Sequence, residues 1–259
     1  MQKTSNFLKK SKFLLGHRGD PKNFRENTMA SFESCLKKQA DGFETDIFLS
    51  SDLHLMVRHD KTFEDGTDIT QLNFQSIKLQ DPEMPTLNEV LDGFPDSLID
   101  IEIKADENRT HEISVALCES LKSHNLNNVL ITSFSLNHLK DVRSLCNQLN
   151  MSTSLCFGLL FYPTQFNDSN NLYEQTLNAI KSCIKNGFDF FLPHFIAVYN
   201  QQMEMIIDNI KLGIATDESE QALFLVPWTV NDKQIAQKLL DSEIVKGIIS
   251  DYPNLTETQ

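Results

Sequence analysis

A single (β/α)8 barrel is the fold class this sequence predicts, on three observations. Eight short apolar runs alternate with segments of helical spacing along the chain. The chain has 259 residues, close to the roughly 250 typical of one such barrel. No Gly-x-Gly-x-x-Gly follows a strand-like run, and no Gly-rich loop ends in Lys-Ser or Lys-Thr. The nucleotide-binding folds that share the βα alternation therefore lack their phosphate loops. One domain over 1–259 accommodates the pattern, with no internal repeat beyond the alternation and no low-complexity linker.

The first strand is read over 13–18, an apolar run that ends in His17 and Arg18. Asn27 or Thr28 caps a helix running to about Gln39, with Met29, Phe32, Leu36 and Ala40 at helical spacing. Gly42 opens the second strand, and an extended run over 53–59 continues it or folds back on it. After Pro85 a short helix starts at Thr86 and ends at Gly93. Further strands are predicted over 97–105, 129–134, 153–160, 188–195, 223–230 and 246–250. Helices fall between them over 112–121, 135–148, from Leu172 to before Gly187, over about 200–211, and over 232–240.

Composition narrows the function. The net charge of −13 opposes nucleic acid and anionic membrane surfaces, because like charge repels both. No apolar run reaches the ~18 residues needed to span a bilayer, so no stable membrane insertion is expected. The stretch 1–12 lacks the continuous apolar core of a secretory signal, and a cytoplasmic location is expected. Cys35, Cys118, Cys146, Cys156 and Cys183 are odd in number and have no Cys-x-x-Cys spacing, which reads as packed, reduced thiols. The oligomeric state is left open.

The stretch 42–50 is the unusual one. Glu44 and Asp46 are two apart on a predicted strand and share one face, while Phe43, Thr45 and Ile47 share the other. The pattern recurs where Asp100, Glu102 and Lys104 alternate with Ile99, Ile101 and Ile103. Carboxylates aimed from two strands at one interior imply a cation between them, since burying them unpaired costs several kcal/mol each. Catalytic residues of such barrels lie at the C-terminal strand ends. His17, Arg18, Glu44, Asp46, His59, Glu102 and Lys104 all fall there. Three carboxylates suit one hard divalent cation, Mg²⁺ or Ca²⁺, more than zinc, which recruits Cys or several His. Arg18 and Lys104 supply positive charge for an anionic substrate, and the two histidines suit acid and base work near neutral pH.

The motifs Gly16-His17-Arg18-Gly19, Glu26-Asn27-Thr28, Glu44-x-Asp46, His59-Asp60, Pro85-Thr86-Leu87-x-Glu89-Val90-Leu91, Glu102-x-Lys104, Ser133-Phe134, Trp228-Thr229-Val230-Asn231 and Gly247-Ile-Ile-Ser-Asp251-Tyr-Pro253 occur in that order. Together they resemble the successive signatures of glycerophosphodiester phosphodiesterases, over nearly the whole chain. The resemblance implies a barrel that hydrolyses glycerophosphodiesters to glycerol 3-phosphate and an alcohol with a divalent cation. It implies Glu44, Asp46 and Glu102 as metal ligands, His17 and His59 as the acid/base pair, and Arg18 and Lys104 on the phosphate. Glu26 then orients Arg18 or contacts the glycerol. Trp228, at the end of the seventh strand, reads either as a wall of the glycerol pocket or as ordinary core packing. The sequence departs from the family at Ser50-Ser51-Asp52-Leu53, where a Thr-x-Asp-Gly turn is common. It also lacks the Arg-Thr pair usual after His-Asp, and the segment between His59 and Pro85 is short.

Two other readings stand beside this one. A lysophospholipid headgroup hydrolase of phospholipase D type would use the same barrel with an apolar lid or docking segment. A non-catalytic binding protein would be expected to have lost a histidine or a ligand, and all are present. Asp100 reads as a packing or supporting group behind the ligands, and His194, at the end of the sixth strand, as a structural residue with contact to substrate as the alternative. His54 reads as structural, and His111, His124 and His138 as solvated positions on helices.

Overall fold

The computed structural model describes residues 3–104, 106–164, 169–199 and 222–256. Its described elements begin with α1 (Asn6–Lys9), β1 (Phe13–Gly16), α2 (Met29–Lys37), β2 (Gly42–Leu49) and β3 (Leu55–Val57). Next come α3 (Phe74–Gln80), α4 (Leu87–Gly93), β4 (Leu98–Ile103), α5 (Thr110–Leu121), β5 (Val129–Ser133) and α6 (Leu136–Gln148). The last are β6 (Cys156–Phe161), α7 (Ser169–Lys185), β7 (Phe190–Pro193), β8 (Phe224–Leu225), α8 (Lys233–Leu240) and β9 (Gly247–Ser250). Eight strands pair in parallel in the order β8-β7-β6-β5-β4-β2-β1-β9. A parallel bridge between Leu225 and Val245 brings the two ends of that order together, giving the nearly closed barrel that the alternation predicted.

The extended run after β2 folds back: β3 pairs antiparallel with β2, Ile47 opposite Val57. Two short helices were not anticipated, α1 and α3, because neither is long enough to show a helical period. Thr28, not Asn27, caps α2, and Thr86 forms a reciprocal capping box with Glu89 at the start of α4. The helix expected over about 200–211 lies outside the described residues.

Register decides what faces inward. Gly42 pairs with Leu98, Glu44 with Asp100 and Asp46 with Glu102. Glu102 pairs with Thr132, Thr132 with Gly158, Gly158 with Phe190, and Phe190 with Phe224. Neighbours in register share a face of the sheet, so one inward set runs around the barrel. Its lower layers are apolar: Leu15, Leu98, Leu130, Cys156, Phe190 and Leu192 pack together there. Phe7 of α1 closes the bottom, its ring 5.3 Å from that of Phe13. Between strands and helices lies the larger core, built from Phe43, Ile47, Ile99, Ile101, Ile131 and their neighbours.

Two glycines are dictated by space. A Cβ on Gly42 would stand 1.8 Å from the Leu98 carbonyl oxygen, so only glycine lets β2 and β4 approach. Gly19 has φ +90, and a Cβ there would meet Ser31 Oγ at 2.4 Å.

Candidate active site

The upper layer of the barrel interior is charged on one side. His17 and Arg18 leave the end of β1 in a tight turn where Arg18 itself takes φ 55, a left-handed conformation uncommon for a side-chain-bearing residue. That turn aims the Arg18 backbone N–H at Glu44 Oε2, 2.9 Å away. The guanidinium then spans two elements. Its Nη1 donates to both oxygens of Glu26 at 3.1 Å, and its Nε lies 3.5 Å from Asp46 Oδ2. Lys104, just past β4, donates to Glu102 Oε1 at 2.6 Å and sits 2.7 Å from Asp46 Oδ1. His59 follows β3 with its Nδ1 2.8 Å from Asp60 Oδ1.

Glu44, Asp46 and Glu102 are all buried, and ligand oxygens from the three lie within 4.8 Å of one another. Glu44 Oε1 is buried without a hydrogen-bond partner. Burial, and then repulsion from Asp46 and Glu102, hold the Glu44 carboxyl well above the ordinary glutamate range. Burial and Asp46 likewise push Glu102 up to about 7, against the pull of Lys104. Burial would also raise Asp46, but the adjacent Lys104 and Arg18 cations outweigh it and hold Asp46 low. Three buried carboxylates with two cations beside them are short of positive charge. An all-oxygen donor set of this kind fits a hard divalent ion and not a thiolate-seeking one.

Asp100 sits one layer deeper, wholly buried, accepting from Thr132 Oγ1 at 2.7 Å. It lies one step below Glu102 on the same strand face. Burial lowers His59 below the ordinary histidine range, with the Lys104 cation acting in the same direction. Trp228 follows β8 on the opposite side of the mouth, its Nε1 donating to Leu192 O at 2.8 Å. His194 stands beside it, ring centroids 5.3 Å apart.

Two groups of the site were not assigned roles from sequence. Asp251 Oδ1 lies 2.8 Å from His17 Nδ1, and Asn231 Nδ2 and Lys22 Nζ hold the other Asp251 oxygen at 2.9 and 3.0 Å. Both residues of the Asn231–Asp251 pair sit inside motifs of the sequence, which was the available signal. Asn27 is buried at φ 56; its Nδ2 donates to Asp46 Oδ2 at 2.7 Å, and its Oδ1 accepts from Thr45 Oγ1 at 2.9 Å.

The surface assignment of two histidines is corrected. His138 is completely buried between α5 and α6, with Nε2 3.5 Å from Thr110 Oγ1. It lies in the first turn of α6, and that turn faces α5. His124 is largely covered and bonded to the Ser120 carbonyl and to Asp92. His111 is exposed as expected, and His54, expected to be structural within an apolar run, is exposed too, its ring stacked on Phe74 at 4.8 Å. All five cysteines are buried free thiols.

Residues 17–156 match the model of the glycerophosphoryl diester phosphodiesterase family. A glycerophosphodiester phosphodiesterase of Caldanaerobacter subterraneus is 30% identical over 237 residues, covering 82% of this chain and 97% of the relative. The crystal structure of a glycerophosphodiester phosphodiesterase from Thermotoga maritima superposes with a TM-score of 0.71 at 25% identity, covering 94% of this chain and 96% of that one. An Oleispira antarctica phosphodiesterase, solved with the product sn-glycerol-3-phosphate, shares the fold with a TM-score of 0.74 at 20% identity, covering 96% of each chain. With a family model matching more than half of its length and a relative aligned almost end to end, this chain belongs to the glycerophosphoryl diester phosphodiesterase family.

Proposed function

We propose that this chain hydrolyses glycerophosphodiesters to glycerol 3-phosphate and an alcohol, at the mouth of the barrel between His17, His59 and the three buried carboxylates. The observation that carries the reading is the Glu44, Asp46 and Glu102 cluster, buried and short of positive charge, flanked by two histidines and two basic side chains. Glu44, Asp46 and Glu102 would hold one divalent ion, Mg²⁺ or Ca²⁺. When bound, that ion supplies charge for a phosphoryl oxygen.

The protein's own groups do the rest. Arg18 and Lys104 hold the phosphate in place, and Glu26 fixes the Arg18 fork from the outside. With the glycerol 2-hydroxyl held beside phosphorus, attack is intramolecular and forms a cyclic phosphate as the alcohol leaves. One histidine removes the proton of the attacking hydroxyl, and the other gives a proton to the departing oxygen. Their roles reverse when water opens the cyclic phosphate. Trp228 contributes an apolar wall on the far side of the mouth.

No described helix is long and apolar enough to cross a membrane. A cytoplasmic setting fits the free thiols of Cys118 and Cys146, whose sulfurs lie 3.5 Å apart without a bond between them.

The test is release of glycerol 3-phosphate from a panel of water-soluble glycerophosphodiesters, first with EDTA and then with Mg²⁺ or Ca²⁺ restored. Metal-restored release is the expected result. Turnover of detergent-dispersed lysophospholipid with none on the soluble diesters would overturn the reading.

A further inference from the structure

Among the described residues, the inward positions of β5, β6, β7 and β8, the other half of the barrel mouth, carry no Asp, Glu, Lys or Arg. Register places them: Thr132 is level with Glu102, and Phe134 stands two residues further on the same face. Tyr162 follows β6, His194 follows β7 and bridges in register to Trp228, so four consecutive barrel strands each end in a ring. The rings form one surface. Trp228 meets Phe134 edge to face at 5.7 Å and 81°, and meets His194 at 5.3 Å and 87°. Tyr162 meets His194 at 5.0 Å and Trp228 at 6.1 Å.

This surface is solvent-facing and poor in hydrogen-bonding groups. Phe134 and Tyr162 are 45% and 47% exposed although they face the site. The indole N–H of Trp228 is already committed to the Leu192 carbonyl. His194 Nδ1 is buried without a hydrogen-bond partner, and burial keeps the imidazole below the ordinary histidine range, hence neutral at pH 7. Among the described residues, no lysine or arginine lies over the Phe134 or Trp228 ring.

A phosphodiester has two arms, and the two halves of the mouth differ in what they can hold. The hydroxyls of the glycerol arm need donors and acceptors, which the charged half supplies and the rings, apart from the Tyr162 hydroxyl, do not. Aromatic faces attract cations, and they do so best when the cation has no N–H groups to be left unpaired. We infer that Phe134, Tyr162, His194 and Trp228 receive the leaving-group arm, so that Trp228 faces the headgroup and not the glycerol as expected from sequence, and that they select a quaternary ammonium headgroup, such as a choline ester of the phosphate. This inference rests on the phosphodiester reading above and names the alcohol that reading leaves open. A primary ammonium headgroup would lose three water hydrogen bonds against the rings, and a polyol would lose more.

The test compares kcat/KM for glycerophosphocholine, glycerophosphoethanolamine and glycerophosphoglycerol, with metal present throughout. The choline ester is expected to lead by about tenfold, which corresponds to about 1.4 kcal/mol. Phe134→Leu and Tyr162→Leu, both at exposed rings, should each shrink the choline-to-ethanolamine ratio at least threefold, on the order of 0.7 kcal/mol. Phe134→Tyr should keep the ratio, because it keeps the face. Hydrolysis of all three esters at equal rates, or leucine variants that retain the wild-type ratio, would overturn the inference while leaving the phosphodiesterase reading intact. Rates that rise with an acyl chain on the glycerol and ignore the headgroup would overturn it too, since the rings would then be facing the lipid arm. Failure to cleave any of the esters would instead refute the reaction itself.

Discussion

His17 Nδ1 lies 2.8 Å from Asp251 Oδ1, across the seam where the first and last strands of the barrel pair in register. Burial alone would raise the Asp251 carboxyl, but hydrogen bonds from His17, Lys22 and Asn231 hold it below the usual carboxylate range. It therefore stays ionised at any working pH. An ionised carboxylate on Nδ1 fixes the tautomer and ring plane of His17 and, in the reaction proposed above, would leave Nε2 as the atom that exchanges protons with substrate. Asp251→Asn should lower kcat by about 10–100-fold with little change in KM, the scale seen when a supporting hydrogen bond behind a functional histidine is lost. His17→Ala sets the larger reference loss, about 100-fold or more. Steady-state kinetics on one metal-loaded preparation decides it. A normal kcat in Asp251→Asn would remove Asp251 from the machinery.

The carboxylate cluster makes a pH-dependent prediction whose sign is opposite to that of an ordinary ion pair. Burial, and then Asp46, raise Glu102 to about 7, and Glu44 is raised as well. Glutamates of the unfolded chain ionise near 4.3. Between those values the folded state binds more protons than the unfolded one, so the contribution of these groups to stability falls as pH rises toward 7. A divalent ion displaces those protons and reverses the loss. In EDTA the melting temperature should decline from about pH 5 to 7.5, and the shift produced by Mg²⁺ or Ca²⁺ should grow over the same range. Glu44→Gln removes a buried carboxyl whose ionisation burial and its acidic neighbours oppose. Its metal-free form should melt about 2–4 °C above wild type at pH 7.5, the effect of roughly 1 kcal/mol in a domain of this size. It should also lose the metal-induced shift. A metal shift of equal size in Glu44→Gln would take Glu44 out of the ligand set.

Asn27 tests whether the ligands must be held rigidly. Its amide is spent on Thr45 and Asp46, and its left-handed backbone is one that asparagine tolerates better than most residues. Asn27→Ala leaves Asp46 Oδ2 without its donor and strains the turn. Metal affinity, measured by titration calorimetry, should fall about 10–100-fold. Unchanged affinity would mean that Lys104 and Arg18 alone orient Asp46.

Much of this was legible in the chain because strand side chains alternate. The spacing of Glu44 with Asp46, and of Asp100 with Glu102, already put those acids on one face, and the register of β2 against β4 needed only to bring the faces together. The Asp251–His17 contact was less accessible, since the two residues are 234 apart and meet only when the barrel closes. The aromatic half of the mouth was hidden for the same reason. Phe134, Tyr162, His194 and Trp228 become neighbours through the offsets between strands, and no local period records those offsets. His138 misled because a helix shows its period in sequence but not which neighbour covers its first turn.

The turn between β2 and β3 carries a local conflict that a single substitution should relieve. Leu53 stands in this turn, and its backbone takes φ 69. The side chain is 54% exposed, so it gains little from packing in return. A branched residue in the left-handed region costs roughly 1–2 kcal/mol, and glycine costs roughly 0.5–1 kcal/mol in extra unfolded-state freedom. Leu53→Gly should therefore stabilise the protein by about 0.5–1 kcal/mol, a rise of roughly 1–4 °C in melting temperature. Ser50 and Asp52 keep the turn in place in the variant, since Ser50 Oγ donates to Asp52 Oδ1 at 2.7 Å and accepts from the His54 N–H at 2.9 Å. Leu53→Ala is the control. It removes the same exposed side chain but keeps the Cβ that opposes a positive φ, so it should not stabilise. Equal gains from alanine and glycine would assign the effect to the lost side chain and not to the backbone.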